Sequence, residues 1–296
     1  MHRRKCLSAV LLWAGLSQTQ SFVQAQVMSD VRPNVPPAIP DSVVVDANIR
    51  YGDSAETVLD VYRPKAVAKE KRPGVLVIHG GGWTNGTKEQ RVEPVVLRWV
   101  AKGFVVANVE YRLAKAAIAP AAVVDVLKAA GWFERNAKKY GADPRRIAVT
   151  GDSAGGHLAL MVAMTPKTAD LGRPAKVAAV VNFFGITDIA DQLSGPNERT
   201  YATTWIPEMP RRLDLAHRVS PITYVRKDVA PILTIHGDAD PTVPYEHGVN
   251  LTKALRDAGA DAVLITVPQG RHGFPKAKTD ELYEHVWEFL KSKKVM

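Results

Sequence analysis

At 296 residues, with 46% hydrophobic and 23% charged residues, the chain has the composition of a globular protein large enough for one sizeable core. Its formal charge of +9 is a modest excess, and no dense Lys/Arg tract or aromatic-basic alternation marks a nucleic-acid groove, so nucleic acid is excluded as a partner. The only cysteine, Cys6, rules out a disulfide framework.

Residues 1–25 read as a secretory signal peptide, with a basic cap "HRRKC", an apolar stretch "LSAVLLWAGL" and a small-residue "VQA" just before Gln26. The apolar run falls short of the ~20 residues that span a bilayer, so the expectation is a periplasmic or secreted chain with no membrane attachment after cleavage. Residues 26–42 carry Pro33, Pro36, Pro37 and Pro40 and predict an extended arm. Folding is expected to begin near Val43.

Strand-like runs then follow in order: "VVVDANIRY", "TVLDVYRP", "GVLVIHG", "FVVANVEYR", "RIAVTG", "VAAVVNFFG", "PILTIHG" and "DAVLITVP". The first two alternate as edge antiparallel strands do. The later ones are apolar almost throughout, as strands covered on both faces are. Helices are predicted over 120–140, 245–258 and 278–293, and in "HLALMVAM" directly after a serine turn. A leading hairpin followed by strand-helix repetition predicts an α/β protein: a twisted, mostly parallel eight-stranded sheet with helices on both faces. Residues 186–220 break the rhythm with Pro196, Pro207, Pro210 and Trp205, and read either as a lid over the strand ends or as a plain surface insertion.

The stretch "GDSAGG" stands where "RIAVT" gives way to that helix, and its Gly151, Ser153 and Gly155 match the Gly-x-Ser-x-Gly turn that pushes a hydroxyl beyond the end of a sheet. Side chains at Gly151 or Gly155 would collide with neighbouring backbone in so tight a turn. Serine is a poor nucleophile until a base takes its proton, so Ser153 calls for a histidine held in one tautomer by a carboxylate. In the order nucleophile, acid, base, the loops "HGDADPTVP" and "QGRHGF" supply Asp240 as the acid and His272 as the base. Asp238, in the same loop, competes for the acid role. Asp188 reads as a turn or capping residue, and Asp152 as a brace of the serine turn.

Attack on an ester carbonyl builds charge on oxygen, which needs converging N–H groups with no side chain in the way. "HGGGW", residues 79–83, follows a strand and fits that need together with Ala154. It is not a phosphate loop, since no Gly-Lys-Ser/Thr ending is present. His157 reads as packed, and His79 and His236 as loop braces. His217, His247 and His285 carry no partner pattern, so no metal and no cofactor are expected.

These residues together resemble the α/β-hydrolase superfamily and, within it, the esterases related to hormone-sensitive lipase. The resemblance rests on "HGGGW", "EYRL" at 110–113, "GDSAGG", "SPITYV" at 220–225, "HGDADPTVP" and "RHGF". It implies an α/β-hydrolase fold, a Ser153, Asp240 and His272 triad, and an oxyanion hole of Gly81, Gly82 and Ala154. After "EYRLA" the chain reads "KAAIAP" where those esterases have a proline-glutamate pair, and its acid loop ends "DPTVP" rather than aspartate-proline-leucine. In this it is more similar to the branch of secreted carbohydrate and feruloyl esterases. The implied function is hydrolysis of short-chain carboxylic esters, acetyl or feruloyl esters of sugars and oligosaccharides among them. An amidase or peptidase with the same triad, and a catalytically silent fold serving as a binding module, are the alternatives. Trp205, the main large apolar residue of the 186–220 insert, and Trp83, next to the oxyanion glycines, are expected to line the substrate pocket.

Overall fold

The computed structural model describes residues 38–296, so the expected leader, and the expected arm up to Pro37, lie outside the described residues. In chain order the strands and helices are β1 (Val43–Arg50), β2 (Val58–Pro64), β3 (Arg72–Ile78), α1 (Leu97–Ala101), β4 (Val105–Val109), α2 (Ala121–Asn136) and β5 (Ala142–Asp152). There follow α3 (Ala154–Met164), β6 (Ala179–Phe183), α4 (Thr200–Trp205), α5 (Arg212–Arg218), β7 (Ile232–Gly237), α6 (Glu246–Asp257), β8 (Ala262–Val267) and α7 (Lys276–Ser292).

The eight strands form one sheet in the order β1-β2-β4-β3-β5-β6-β7-β8. Antiparallel pairing joins β1 to β2 and β2 to β4, and every further pair is parallel. β1 is thus the edge, while β2 lies one strand further in and is largely buried. Valine and isoleucine dominate the inner strands because branched side chains pack well on a pleated surface, and β4, β6 and β7 are buried at every position.

Two apolar layers cover the sheet. One side holds α2, α3 and the buried residues of α6, and the other holds α1 and α7. α2 presents Val123, Val126, Leu127, Ala130 and Phe133 at helical spacing, then tightens into a 3-10 turn at Ala137–Tyr140. α3 is buried at every position except Ala163, which explains why "HLALMVAM" shows no amphipathic period.

Two regions depart from expectation. Residues 88–101 had no predicted helix, yet form a 3-10 turn at Lys88–Arg91, a π turn at Val92–Val96 and then α1. The 186–220 insert is neither bare loop nor surface appendage. It folds α4 and α5 and turns Ile186, Ile189, Leu193, Trp205, Ile206 and Val219 into the same apolar layer as α3.

Candidate active site

The serine turn is built by close backbone approach. Ser153 joins β5 to α3 with φ 54° and ψ −123°, a conformation that non-glycine residues avoid and that surrounding structure must hold. Added Cβ atoms show why glycine flanks it: at Gly151 the carbon would be driven into Gly155 O, and at Gly155 into Ile78 O. The turn is also where the 79–87 loop packs, since a Cβ on Gly80 would lie 2.7 Å from Asp152 O.

That loop is pinned by the residues that follow β4. His79 stacks on Tyr111 with ring centroids 4.3 Å apart, and Tyr111 donates its hydroxyl to His79 O at 3.0 Å. His79 Nε2 lies 3.2 Å from Glu110 Oε1, whose other oxygen accepts the Lys88 N–H at 2.9 Å. Arg112 clamps the buried Asp125 of α2 with two guanidinium bonds of 2.8 and 2.7 Å. The "EYRL" stretch therefore braces the glycine loop against the sheet and α2. Gly81 (φ 116°) and Gly82 (φ 58°) adopt left-handed backbone, and among the described residues no protein acceptor is found for their N–H groups. Ala154 is the first residue of α3, so its N–H has no partner within the helix.

His272 lies between the serine and a carboxylate. Its Nε2 is 2.9 Å from Ser153 Oγ and its Nδ1 2.7 Å from Asp240 Oδ2. With the carboxylate ionised, Nδ1 carries the proton and donates it, leaving the Nε2 lone pair to accept from the serine hydroxyl. Asp240 is itself held by the turn that follows it, accepting the Thr242 N–H at 2.8 Å and the Val243 N–H at 3.0 Å on Oδ1. His236 Nε2 lies 3.1 Å from Val243 O and 3.5 Å from Asp240 Oδ2, so its N–H is shared between the two. Burial pushes the Asp240 carboxyl up, but hydrogen bonds from His236 and His272, followed by attraction to His272, outweigh it and hold the group well below the usual carboxylate range.

The competing carboxylates have other partners. Asp238 is exposed and accepts the Gln269 N–H at 2.6 Å, tying the acid loop to the histidine loop. Asp188 accepts the Ala190 N–H at 3.0 Å, as a turn residue does. Asp152 pairs with Arg91 at 2.8 Å beside the serine turn.

The placement of Trp83 and Trp205 is a correction. Both are 0% exposed and stack on each other, with centroids 4.2 Å apart and planes within 12°, so neither offers a face to a ligand. Trp83 Nε1 donates to His157 Nδ1 at 3.2 Å, and His157 Nε2 donates to Val219 O at 2.7 Å. Large indoles are driven inward by their area, and a stacked pair adds about 0.5–1.5 kcal/mol beyond burial. The tryptophans lock the glycine loop to the insert instead. Three further insert residues, which the sequence did not single out, extend that lock to the acid loop. Arg199 donates to Thr242 O and Pro241 O at 2.9 and 3.1 Å, Gln192 to Thr242 O at 3.3 Å, and Tyr201 to Gln192 Oε1 at 2.9 Å.

His157 carries a pH consequence. Desolvation pulls its pKa from 6.5 down to about 4, with the Val219 carbonyl opposing. Between those values the unfolded chain binds a proton that the native ring refuses, so stability falls on acidification through this window, by at most about 1.4 kcal/mol per pH unit. His157→Gln is expected to flatten the slope of unfolding free energy against pH from 6.5 to 4, measured by urea titration. An unchanged slope would assign the acid sensitivity elsewhere.

A serine, histidine and aspartate in hydrogen-bonded line at the carboxyl ends of β5, β7 and β8 place the chain among the α/β-hydrolases, and the sheet order and helices agree. Within that class the chain belongs to the BD-FAE family, whose profile matches residues 59–255. It is similar to esterase LipQ of Mycobacterium tuberculosis, 31% identical over 79% of this chain and 58% of LipQ. A second relative from that organism, esterase LipC, is 31% identical over 76% of this chain and 59% of LipC. The chain thus spans a little under three fifths of the length of these two relatives. Among solved structures, a truncated form of carbohydrate esterase from gut microbiota superposes with a TM-score of 0.77 at 28% identity, over 87% of this chain and 99% of that one.

Proposed function

We propose that the chain is a serine hydrolase of short-chain carboxylic esters, acetyl and feruloyl esters of sugars among them, acting outside the cytoplasm. The observation that carries this is the continuous hydrogen-bonded line from Ser153 Oγ through His272 to Asp240. As His272 Nε2 takes the hydroxyl proton, Oγ bonds to the ester carbon, and the carbonyl oxygen becomes an anion against the N–H groups of Gly81, Gly82 and Ala154. Each such donor contributes about 10²–10³ in turnover. Collapse breaks the bond to the alcohol oxygen, which leaves with the proton from His272. Water then repeats the sequence on the acyl-enzyme and releases the acid.

Short acyl groups suit the insert, where Trp205 and Ile206 are packed inward and Met209 and Leu213 are the large apolar side chains left exposed. The sugar-ester part is supported by similarity to the gut carbohydrate esterase, and the location by the leader-like residues 1–25. For acetate, butyrate and palmitate esters of one alcohol, kcat/KM is expected to be at least about tenfold higher for the two short ones. Palmitate as the best substrate would overturn the short-acyl claim. Absence of turnover on an acetylated oligosaccharide would remove the sugar esters and leave a general carboxylesterase.

A further inference from the structure

The amino-end edge of the sheet, opposite the serine, carries a cluster of cations. Two segments meet there: 65–71, which links β2 to β3, and 138–146, which runs from the 3-10 turn after α2 into β5. Arg72 and Ala142 are register partners where β3 and β5 begin, Lys71 Nζ donates to Lys138 O at 3.3 Å, and Arg146 donates from its guanidinium to Lys71 O, so the segments form one surface. Lys65, Lys69, Lys71, Lys138, Lys139 and Arg145 are exposed on it. Of the two acids in these segments, Asp143 is spent on Arg145 and Arg146, and Glu70 is left exposed. At the middle of 65–71 stands Val67, 98% exposed, between the exposed Ala66 and Ala68. Among the described residues the next most exposed large apolar side chain is Leu213, at 57%.

We propose that this face docks the folded domain on an anionic lipid bilayer, with the tip of 65–71 entering the headgroup layer. The sequence led us to expect no membrane attachment after cleavage; the attachment inferred from the structure is peripheral and needs no leader. Clustered lysines are drawn to the negative surface potential of anionic lipids. That attraction alone would serve any polyanion, and Val67 is what favours lipid. A solvated branched side chain gains nothing from a sugar acid or a phosphate chain, whereas its transfer out of water into acyl chains is favourable. Lysines on either side, at 65 and 69, can lay their methylene stems along the headgroup layer and keep their ammonium groups at the level of the phosphates. Ser153, Asp240 and His272 follow the carboxyl ends of β5, β7 and β8, on the order of 20 Å away by the length of β3, so a docked protein keeps its catalytic edge open to substrate.

The test is co-sedimentation of the full chain with vesicles of phosphatidylcholine alone and of phosphatidylcholine with about a third phosphatidylglycerol. Partition into the anionic vesicles is expected to exceed that into the neutral ones by about tenfold or more and to fall as added salt shortens the screening length. Neutralising the tip lysines together, as Lys65→Gln, Lys69→Gln and Lys71→Gln, is expected to cost about 100-fold, since each lysine near an anionic surface contributes about fivefold. Val67→Gln is expected to lose about tenfold, and Val67→Trp to bind more tightly than wild type. These side chains are exposed and far from the triad, so ester turnover and thermal unfolding should match wild type in every variant, which separates lost docking from misfolding. Equal partition into the two kinds of vesicle would overturn the proposal. So would anionic binding that the lysine and Val67→Gln variants keep, which would assign attachment to residues 1–25 or to another surface. If the lysine variant loses binding while both Val67 variants bind as wild type, and soluble polygalacturonate strips the protein from the vesicles, the face holds a polyanion and the bilayer claim falls.

Discussion

Replacing Ser153 with alanine is expected to lower turnover of a small acetate ester by about 10⁴–10⁶-fold while leaving the fold in place. The hydroxyl makes one hydrogen bond among the described residues, to His272 at 2.9 Å, so its removal changes stability by only about 1 kcal/mol. The tight turn itself depends on Gly151 and Gly155, which the substitution leaves alone. His272→Ala is expected to match it, and the double variant to be no worse than either single one, because nucleophile and base act as one unit. The measurements are steady-state turnover and thermal unfolding on the same preparations. Near-wild-type turnover in Ser153→Ala with an unchanged melting curve would move the nucleophile elsewhere.

Much of this was legible in the sequence, for identifiable reasons. Strands β3 to β8 announce themselves as apolar runs because helices cover both faces, and the serine, acid and histidine loops follow β5, β7 and β8 because a parallel sheet gathers its carboxyl ends on one edge. Glycine at 151 and 155 was readable because backbone approach forbids anything larger. Residues 88–101 were not readable: the segment changes from 3-10 to π to α geometry with Pro94 inside the π turn, so no single period runs through it. Trp83 and Trp205 were misread for a different reason. A large aromatic beside loop glycines, or in a polar insert, looks the same in sequence whether it faces ligand or core. The choice is made by a contact between residues more than a hundred positions apart, together with the buried His157 that bonds Trp83. The insert's inward packing was hidden likewise, since its helices are short and its prolines at 196, 207 and 210 resemble those of an exposed loop.

The acid is where sequence left two residues open, and the geometry yields the second large expected effect. Asp238 and Asp240 sit in one loop, but only Asp240 reaches His272 Nδ1, at 2.7 Å, while Asp238 spends Oδ1 on the Gln269 N–H. In Asp240→Asn the amide oxygen can still accept from Thr242 and Val243, which keeps the turn folded and leaves the NH₂ group facing Nδ1. That NH₂ is a donor, so Nδ1 must present its lone pair and the ring proton moves to Nε2, where it faces the serine hydroxyl. A base with its proton on the wrong nitrogen cannot take another, and turnover is expected to drop by about 10⁴-fold. Asp238→Asn keeps an acceptor for Gln269 and leaves the tautomer alone, so its loss should stay within several-fold, about 1 kcal/mol of barrier. The native Asp240 carboxyl is held below its ordinary range, so its ionisation stabilises the fold above an unfolded value near ~3.9, and that contribution is lost as pH falls below it. Unfolding free energies of wild type and Asp240→Asn should therefore converge toward acid pH and separate toward neutrality. If Asp238→Asn proves the crippled variant while Asp240→Asn turns over normally, the acid role belongs to Asp238 and the 2.7 Å contact to His272 is only a structural tether.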